Sequence, residues 1–509
     1  MATRRLSTTS TLLSDRASTC TLLSDLDPGR EKATSYGTCY KQHLDEADPL
    51  VDIRVSEVDD YTSPSKEARY LARNSLPLIA TYLLQYSFSI VMVFVVGHIG
   101  TRELGAVSLA TMTACITGSA VCEGLVTSLD TLCAQSYGSG RKTDVGLHLQ
   151  RMILLLLVIM IPIGTLWLNA GSIFPRLVPD KDLALIAGSF LRILLIGAPG
   201  HAFFEAGKRF VQAQGIFNAS LLVLLVCAPL NVLLQYVFVF QFQWGLTGVA
   251  LASSISKLLM PFILFLYVRF VNPSSLACWG GFSKEAFHSW TPMIRLSIPG
   301  VVMIAGKQLA FQAITFSASY LTPADLGAHS ILLTACVVMF HIPFAVSVVV
   351  STRLGNLVGV GALSAAKTAT RTYCAIFAAL GSADAVLIFA LGSHIPRFFS
   401  NDPVVVKIAT KVMPVLAAYQ FFDATTSLAG GLLCGFGKQR VGGWVTMTMY
   451  YLFAMPLAMF LCFGPPSMGL EGLWIGYATG CGLLTCAEGA YLRFMNWSLV
   501  IEDAKEGQA

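Results

Sequence analysis

Charge is scarce in this chain of 509 residues. Asp, Glu, Lys and Arg together supply 12% of it against 55% hydrophobic residues, where soluble domains carry roughly 25% charge. So few charges cannot solvate the surface of a fold this size, and a mean hydropathy of +0.66 calls for lipid as the surrounding solvent. The net charge of +5 comes without a basic run interleaved with aromatics, which gives no reason to invoke nucleic acid. Of thirteen cysteines, eleven lie beyond residue 100 and mostly within apolar runs, with no CxxC pair and no His/Cys ligand spacing. Neither a disulfide framework nor a metal site is expected, and the thiols read as small buried hydrophobes. No activated nucleophile, metal cluster or phosphate loop is present, so an enzyme is the least favoured class and no organic cofactor is expected. The first 70 residues contain no apolar h-region, which argues against a cleaved signal peptide.

Long apolar runs fill the rest. About twelve segments of roughly 20 residues are long enough to cross about 30 Å of hydrocarbon as helices: 75–97, 104–134, 147–171, 184–212, 217–240 and 246–270, then 291–320, 326–350, 367–395, 404–433, 441–463 and 469–492. Only helices and closed barrels satisfy backbone polar groups in lipid, and runs this long without alternation exclude the barrel. The predicted fold is an all-α integral membrane protein, two pseudo-symmetric lobes of six transmembrane helices each. The expected layout is a tail at 1–70, an N-lobe at 71–270, a linker at 271–290, a C-lobe at 291–500 and a second tail at 501–509.

The pseudo-symmetry is visible as a duplication. Arg73-x-Ser75-Leu76-Pro77 recurs 222 residues later as Arg295-x-Ser297-Ile298-Pro299, and Leu104-Gly105-Ala106 as Leu326-Gly327-Ala328. Thr131, Gln135, Gly138 and Gly140 correspond to Thr352, Asn356, Gly359 and Gly361, and Phe203-Phe204-Glu205-Ala206 to Phe421-Phe422-Asp423-Ala424. Duplicated halves in an apolar chain are a mark of solute transporters, in which two repeats move about a shared central site. The functional residues are therefore sought between the halves.

Lys66, Arg69 and Arg73 and the even-numbered connections carry most of the cations, whereas the odd-numbered ones hold Glu103, Asp180, Asp182, Asp325 and Glu471. By the positive-inside rule both termini are cytoplasmic, which leaves the sequons at Asn218 and Asn496 unglycosylated. The polar tail repeats Thr-Leu-Leu-Ser-Asp at 11–15 and 21–25 and has the composition of a disordered segment. Its Leu-Leu pairs and flanking serines could serve in sorting and phosphorylation; a dispensable solvated tail is the plainer reading.

Leu83-Leu84-Gln85-Tyr86, Val96-Gly97-His98-Ile99-Gly100, the run from Ser128 to Gly138, Arg209-Phe210-Val211-Gln212-Ala213-Gln214-Gly215 and Ser351-Thr352-Arg353-Leu354-Gly355-Asn356 resemble motifs of the multidrug and toxic compound extrusion (MATE) family. The eukaryotic, and within it the fungal, branch is the most similar. The resemblance runs in order from about residue 70 to 495. It implies a V-shaped pair of lobes that exports organic solutes by alternating access, driven by inward flow of H⁺ or Na⁺.

Ionisable residues inside a membrane are functional candidates by default. Asp423 matches the position at which eukaryotic relatives carry a cavity acid, and a carboxylate there can take a proton from one side of the membrane and release it to the other. In the seventh segment the relatives resemble Pro-Gly…Glu-x-x-x-Phe-Glu, whereas this chain has Lys307 and Gln312 at the two acidic positions, with Phe311 between. A midplane lysine opposes a cation at that spot. It suggests instead a Lys307–Asp423 ion pair that either switches during transport or merely holds helices together. Loss of the two acids favours anionic or neutral solutes over cations.

In the first half Gln85 stands at the repeat position of Lys307 and Glu205 at that of Asp423. Glu205, close to Lys208 and Arg209, is expected in an ion pair at the cytoplasmic interface, or else as a second coupling carboxylate facing the cavity. Pro77 and Pro299 bend their helices and are candidate hinges or fixed kinks. His341 belongs to the one side-chain type that ordinarily titrates near neutral pH, although a lone histidine in a helix bundle is more often a hydrogen-bonded structural residue. Asp130, Gln135, Arg353 and Asn356 are read as gating or packing residues. Antiport of a small organic solute by a monomer in the plasma or vacuolar membrane is the leading reading. A transport-incompetent sensor, an uncoupled facilitator and a lipid-linked oligosaccharide flippase remain as alternatives.

Overall fold

The computed structural model describes residues 62–177 and 180–506; the Thr-Leu-Leu repeats and most of the polar tail lie outside them. Ser63 accepts a hydrogen bond from the Lys66 amide and Pro64 opens α1 (Pro64–Gly97) without needing a partner for the N–H it lacks. The first lobe continues with α2 (Thr101–Gly138), α3 (Lys142–Leu168), α4 (Lys181–Ala213), α5 (Asn218–Gln241) and α6 (Gly245–Val271). The second consists of α7 (Thr291–Ala318), α8 (Pro323–Val360), α9 (Leu363–Ala390), α10 (Pro403–Gly435), α11 (Gln439–Phe463) and α12 (Leu470–Phe494).

By length and apolarity α1 to α11 can each cross a membrane. In α12, 25 residues long, Glu471, Glu488 and several glycines dilute the hydropathy, yet it packs along α10 and α11 as a member of the second bundle. No strand occurs among the described residues.

Helix starts follow local chemistry. Asp180 caps α4 and Asp402 caps α10, each accepting from backbone amides of the first turn. Thr322 and Asp325 form a reciprocal capping box before α8. Two boundaries differ from the hydropathy reading by ten residues or more: α1 starts at 64 rather than 75 and α8 runs on to 360 rather than 350, and in these polar extensions Glu67 of the first turn of α1 binds Arg353 of α8. Pro77 and Pro299 both lie inside their helices, in register with the repeat.

Trp497–Glu506 is also helical, held by Trp497 edge-on to Phe436 at 5.2 Å. Within the linker, short helical turns at Pro273–Cys278 and Lys284–Phe287 are clipped to α3 by Gln150, whose Nε2 donates to the Gly281 carbonyl at 2.7 Å and whose Oε1 accepts from the Ser283 amide at 3.2 Å.

Each lobe has its own apolar core: Leu129, Met152, Phe204 and Val223 are in one, Leu416, Tyr450, Leu473 and Trp474 in the other. Every hydrogen bond described between the lobes sits at the end that carries the chain termini. There Ser297 Oγ of α7 donates to the Leu125 carbonyl and meets Ser128 Oγ of α2, both at 3.0 Å. Close approach of α2 and α8 depends on two glycines: a Cβ on Gly138 would strike the backbone of Asn356, and one on Gly359 the backbone of Gln135.

Candidate functional site

A cavity of about 590 Å³ lies between the lobes, lined from both sides. The strongest polar feature of its C-lobe wall starts from the tenth-segment acid. Asp423 is completely buried on α10, and its Oδ1 accepts from Lys307 Nζ of α7 at 2.6 Å and from the Tyr419 hydroxyl at 3.1 Å. Asp423 Oδ2 is buried without a partner. Lys307 keeps 24% of its side chain exposed and stands over the Phe340 ring at 4.9 Å. The lysine, not the aspartate, therefore faces the cavity, and a solute or proton coming from the cavity meets the ammonium first.

The first lobe has the same device wired differently. Gln85 Nε2 on α1 donates to Glu205 Oε1 at 2.9 Å, and Lys208 Nζ, one turn along α4, donates to the same oxygen at 2.8 Å. Tyr82 covers the ammonium at 4.6 Å. The expected interfacial pair is corrected here: both Glu205 and Lys208 are buried, and Glu205 does not line the cavity either. A lysine at i+3 on the same helix face neutralises it, so the lobe can seal it behind Gln85.

Asp130 departs from the gating reading in a similar way. It lines the cavity and forms an ion pair with Arg209 at 3.2 Å within its own lobe. The lobe-joining bonds come from its neighbours. Thr131 Oγ1 donates to the Cys434 carbonyl at 2.5 Å, Gln135 Nε2 to the Gly435 carbonyl at 3.2 Å, and Gln439 Nε2 to Thr131 Oγ1 at 2.6 Å. Arg353 binds Glu67 of α1 through two nitrogens at 2.8 and 3.2 Å, while the Tyr373 hydroxyl of α9 donates to Glu67 Oε2 at 2.6 Å. Asn356 faces Gly138 with its side-chain oxygen buried and unpartnered.

Gln85, Phe311, Gln312 and His341 line the cavity. Phe311 stacks obliquely on Tyr477 at 5.6 Å. His341 is tied through Nδ1 to the Val337 carbonyl at 2.6 Å and meets the Tyr86 ring across the lobe boundary at 5.0 Å.

Sequence reasoning passed over several charged residues. Glu123 of α2, Lys257 of α6 and Glu488 of α12 line the cavity, and none belongs to an ion pair within 4 Å among the described residues. The cavity thus holds acids on α2 and α12, beside Lys257, that the seventh-segment pattern did not reveal. Glu67 was grouped with the tail, and Asp384 is buried on α9. The one signal available in advance was an ionisable residue inside an apolar run, which Glu123, Lys257, Asp384 and Glu488 all satisfy.

The MatE family model matches residues 77–237 and again 299–460, one copy per half. An uncharacterised transporter of Saccharomyces cerevisiae is 38% identical over 485 residues, covering 94% of this chain and 68% of that protein. Multidrug and toxin extrusion protein 2 of Mus musculus is 31% identical over 440 residues, 86% of this chain and 76% of that protein. Among solved structures, the eukaryotic MATE transporter AtDTX14 superimposes with a TM-score of 0.82 at 27% identity, covering 87% of this chain and 99% of that one.

Proposed function

Because this chain belongs to the MATE family of membrane transporters, we propose that it is a secondary antiporter that exports small organic solutes by alternating access in exchange for H⁺, with Na⁺ as the alternative coupling ion. The observation that carries this reading is the Lys307–Asp423 pair, a buried carboxylate screened from the shared cavity by a partly exposed lysine. With both termini in the cytoplasm, the state described is closed on the cytoplasmic side, and its cavity receives solute or ions from the opposite face.

The pair works as a charge switch. A proton on Asp423 removes the negative partner, frees Lys307 to turn into the cavity, and makes the cavity more positive by one charge. That change repels a bound cation and alters the relative energies of the two access states, which is the differential interaction that coupling requires. Lys307 thereby ties the occupancy of the cavity to the protonation of a group the solute never touches. A single copy contains both lobes and the whole cavity, so a monomer suffices, in the plasma or the vacuolar membrane.

The test is efflux of cationic, neutral and anionic solutes from sealed vesicles under an imposed pH gradient. Wild type is expected to move at least one class, and Asp423→Asn to lose gradient-driven transport while reaching the membrane normally. Lys307→Glu is expected to shift preference toward cations. Normal coupled efflux by Asp423→Asn would remove Asp423 from the mechanism. A wild type that moves no solute, or moves solute equally with and without the gradient, would favour a sensor or an uncoupled facilitator.

A further inference from the structure

Glu488 is a buried cavity carboxylate left without a partner. It lines the cavity from α12 with only 1% of the residue exposed; Oε2 is buried and accepts no hydrogen bond, and neither oxygen has a cation within 4 Å among the described residues. Met303 of α7 and Leu433 of α10 crowd the same face of Gly442 on α11, and Glu488 Oε1 would lie 3.7 Å from a Cβ there, at ordinary contact distance. Lys307 is the cation in electrostatic reach, but its ammonium is already engaged by Asp423 at 2.6 Å.

An ionised carboxylate alone in apolar surroundings is costly, and a half-made polar site in a binding cavity is completed by what binds there. We propose that Glu488 is the charge-recognition residue of a subsite for a protonated amine with an apolar body. The ammonium donates to Glu488 and the body lies against Met303 and Leu484, which line the same cavity. No group of three or more His, Cys, Asp or Glu that could hold a metal ion occurs among the described residues, so Glu488 does not belong to the ligand set of a divalent metal. Lys307 nearby disfavours a dication. The inference rests on the transporter reading for its purpose and deepens it by naming the residue that would select for charge: the acid absent from α7 has its counterpart on α12.

The test is calorimetric binding to the purified full-length protein in detergent, using 4-phenylbutylammonium and its neutral counterpart 4-phenylbutanol. Wild type is expected to prefer the cation. Glu488→Gln should lose about tenfold in affinity for the cation with little change for the alcohol, Glu488→Asp should recover part of it, and Glu123→Gln, which removes an equal charge from the other lobe, should lose less than about threefold. Any of three results overturns the proposal: no preference in wild type, equal loss of both ligands in Glu488→Gln, or equal loss of the cation in Glu123→Gln. Should Glu488→Gln fail to fold, carbodiimide labelling of wild type decides: the cation must protect Glu488 and the alcohol must not. Absence of gradient-driven export by wild type would defeat the antiporter reading without touching these binding results.

Discussion

Lys307 and Asp423 illustrate what one buried pair demands of its members. Removing the lysine alone strands a carboxylate at zero exposure, a loss of about 3–5 kcal/mol by analogy with other broken buried pairs. Lys307→Met should therefore lower the melting temperature of the purified protein markedly, and the double variant Lys307→Met/Asp423→Asn should recover most of it. Equal melting temperatures for the single and double variants would mean that solvent already relieves the aspartate. Lys208 and Glu205 predict a larger penalty still, since both ends are buried and the ammonium also loses the Tyr82 ring.

At the scale of elements, the α2–α8 contact is set by what is missing from it. Gly138 and Gly359 let the two backbones touch at the terminal end, and a β-branched side chain has nowhere to go but between the helices. Gly359→Val should therefore disfavour the state closed on the terminal side. Labelling of the native, buried Cys434 by a membrane-impermeant thiol reagent applied from that side, read by mass spectrometry, should rise several-fold over wild type; unchanged labelling would show that the helices absorb the bulk without parting. The α1–α8–α9 latch predicts the same direction: Glu67→Gln weakens two charge-assisted bonds from Arg353 and the one from Tyr373, and should also raise that labelling.

For the whole molecule, alternating access requires the terminal ends of the lobes to separate once per cycle. Ser128 and Ser297 have hydroxyl oxygens 3.0 Å apart across the lobe boundary, so cysteines at both positions should crosslink under mild oxidation. The crosslinked protein should stop exporting solute and recover on reduction. Continued transport after complete crosslinking would mean that access changes without the lobes parting there.

The linear chain by itself determined the membrane class and the two-by-six repeat and singled out positions 307 and 423, because hydropathy and duplication are local properties that survive without coordinates. It also pointed to the pairing of Lys307 with Asp423, since a lone charge in lipid needs a partner and the repeat placed both in one lobe. What only the tertiary structure decided were matters of facing and distance. Glu205 is sealed by Lys208 instead of lying at an interface, Asp130 serves Arg209 while Thr131 and Gln135 hold the lobes, and Glu67 leaves the tail to bind Arg353, 286 residues away. Glu488 carried no reading in the linear chain, and only its placement among α7, α10 and α11 leaves its carboxylate without a partner. Such facts depend on helix rotation and on which lobe supplies each wall, and a helix turned by one residue, about 100°, would carry the same sequence to a different partner.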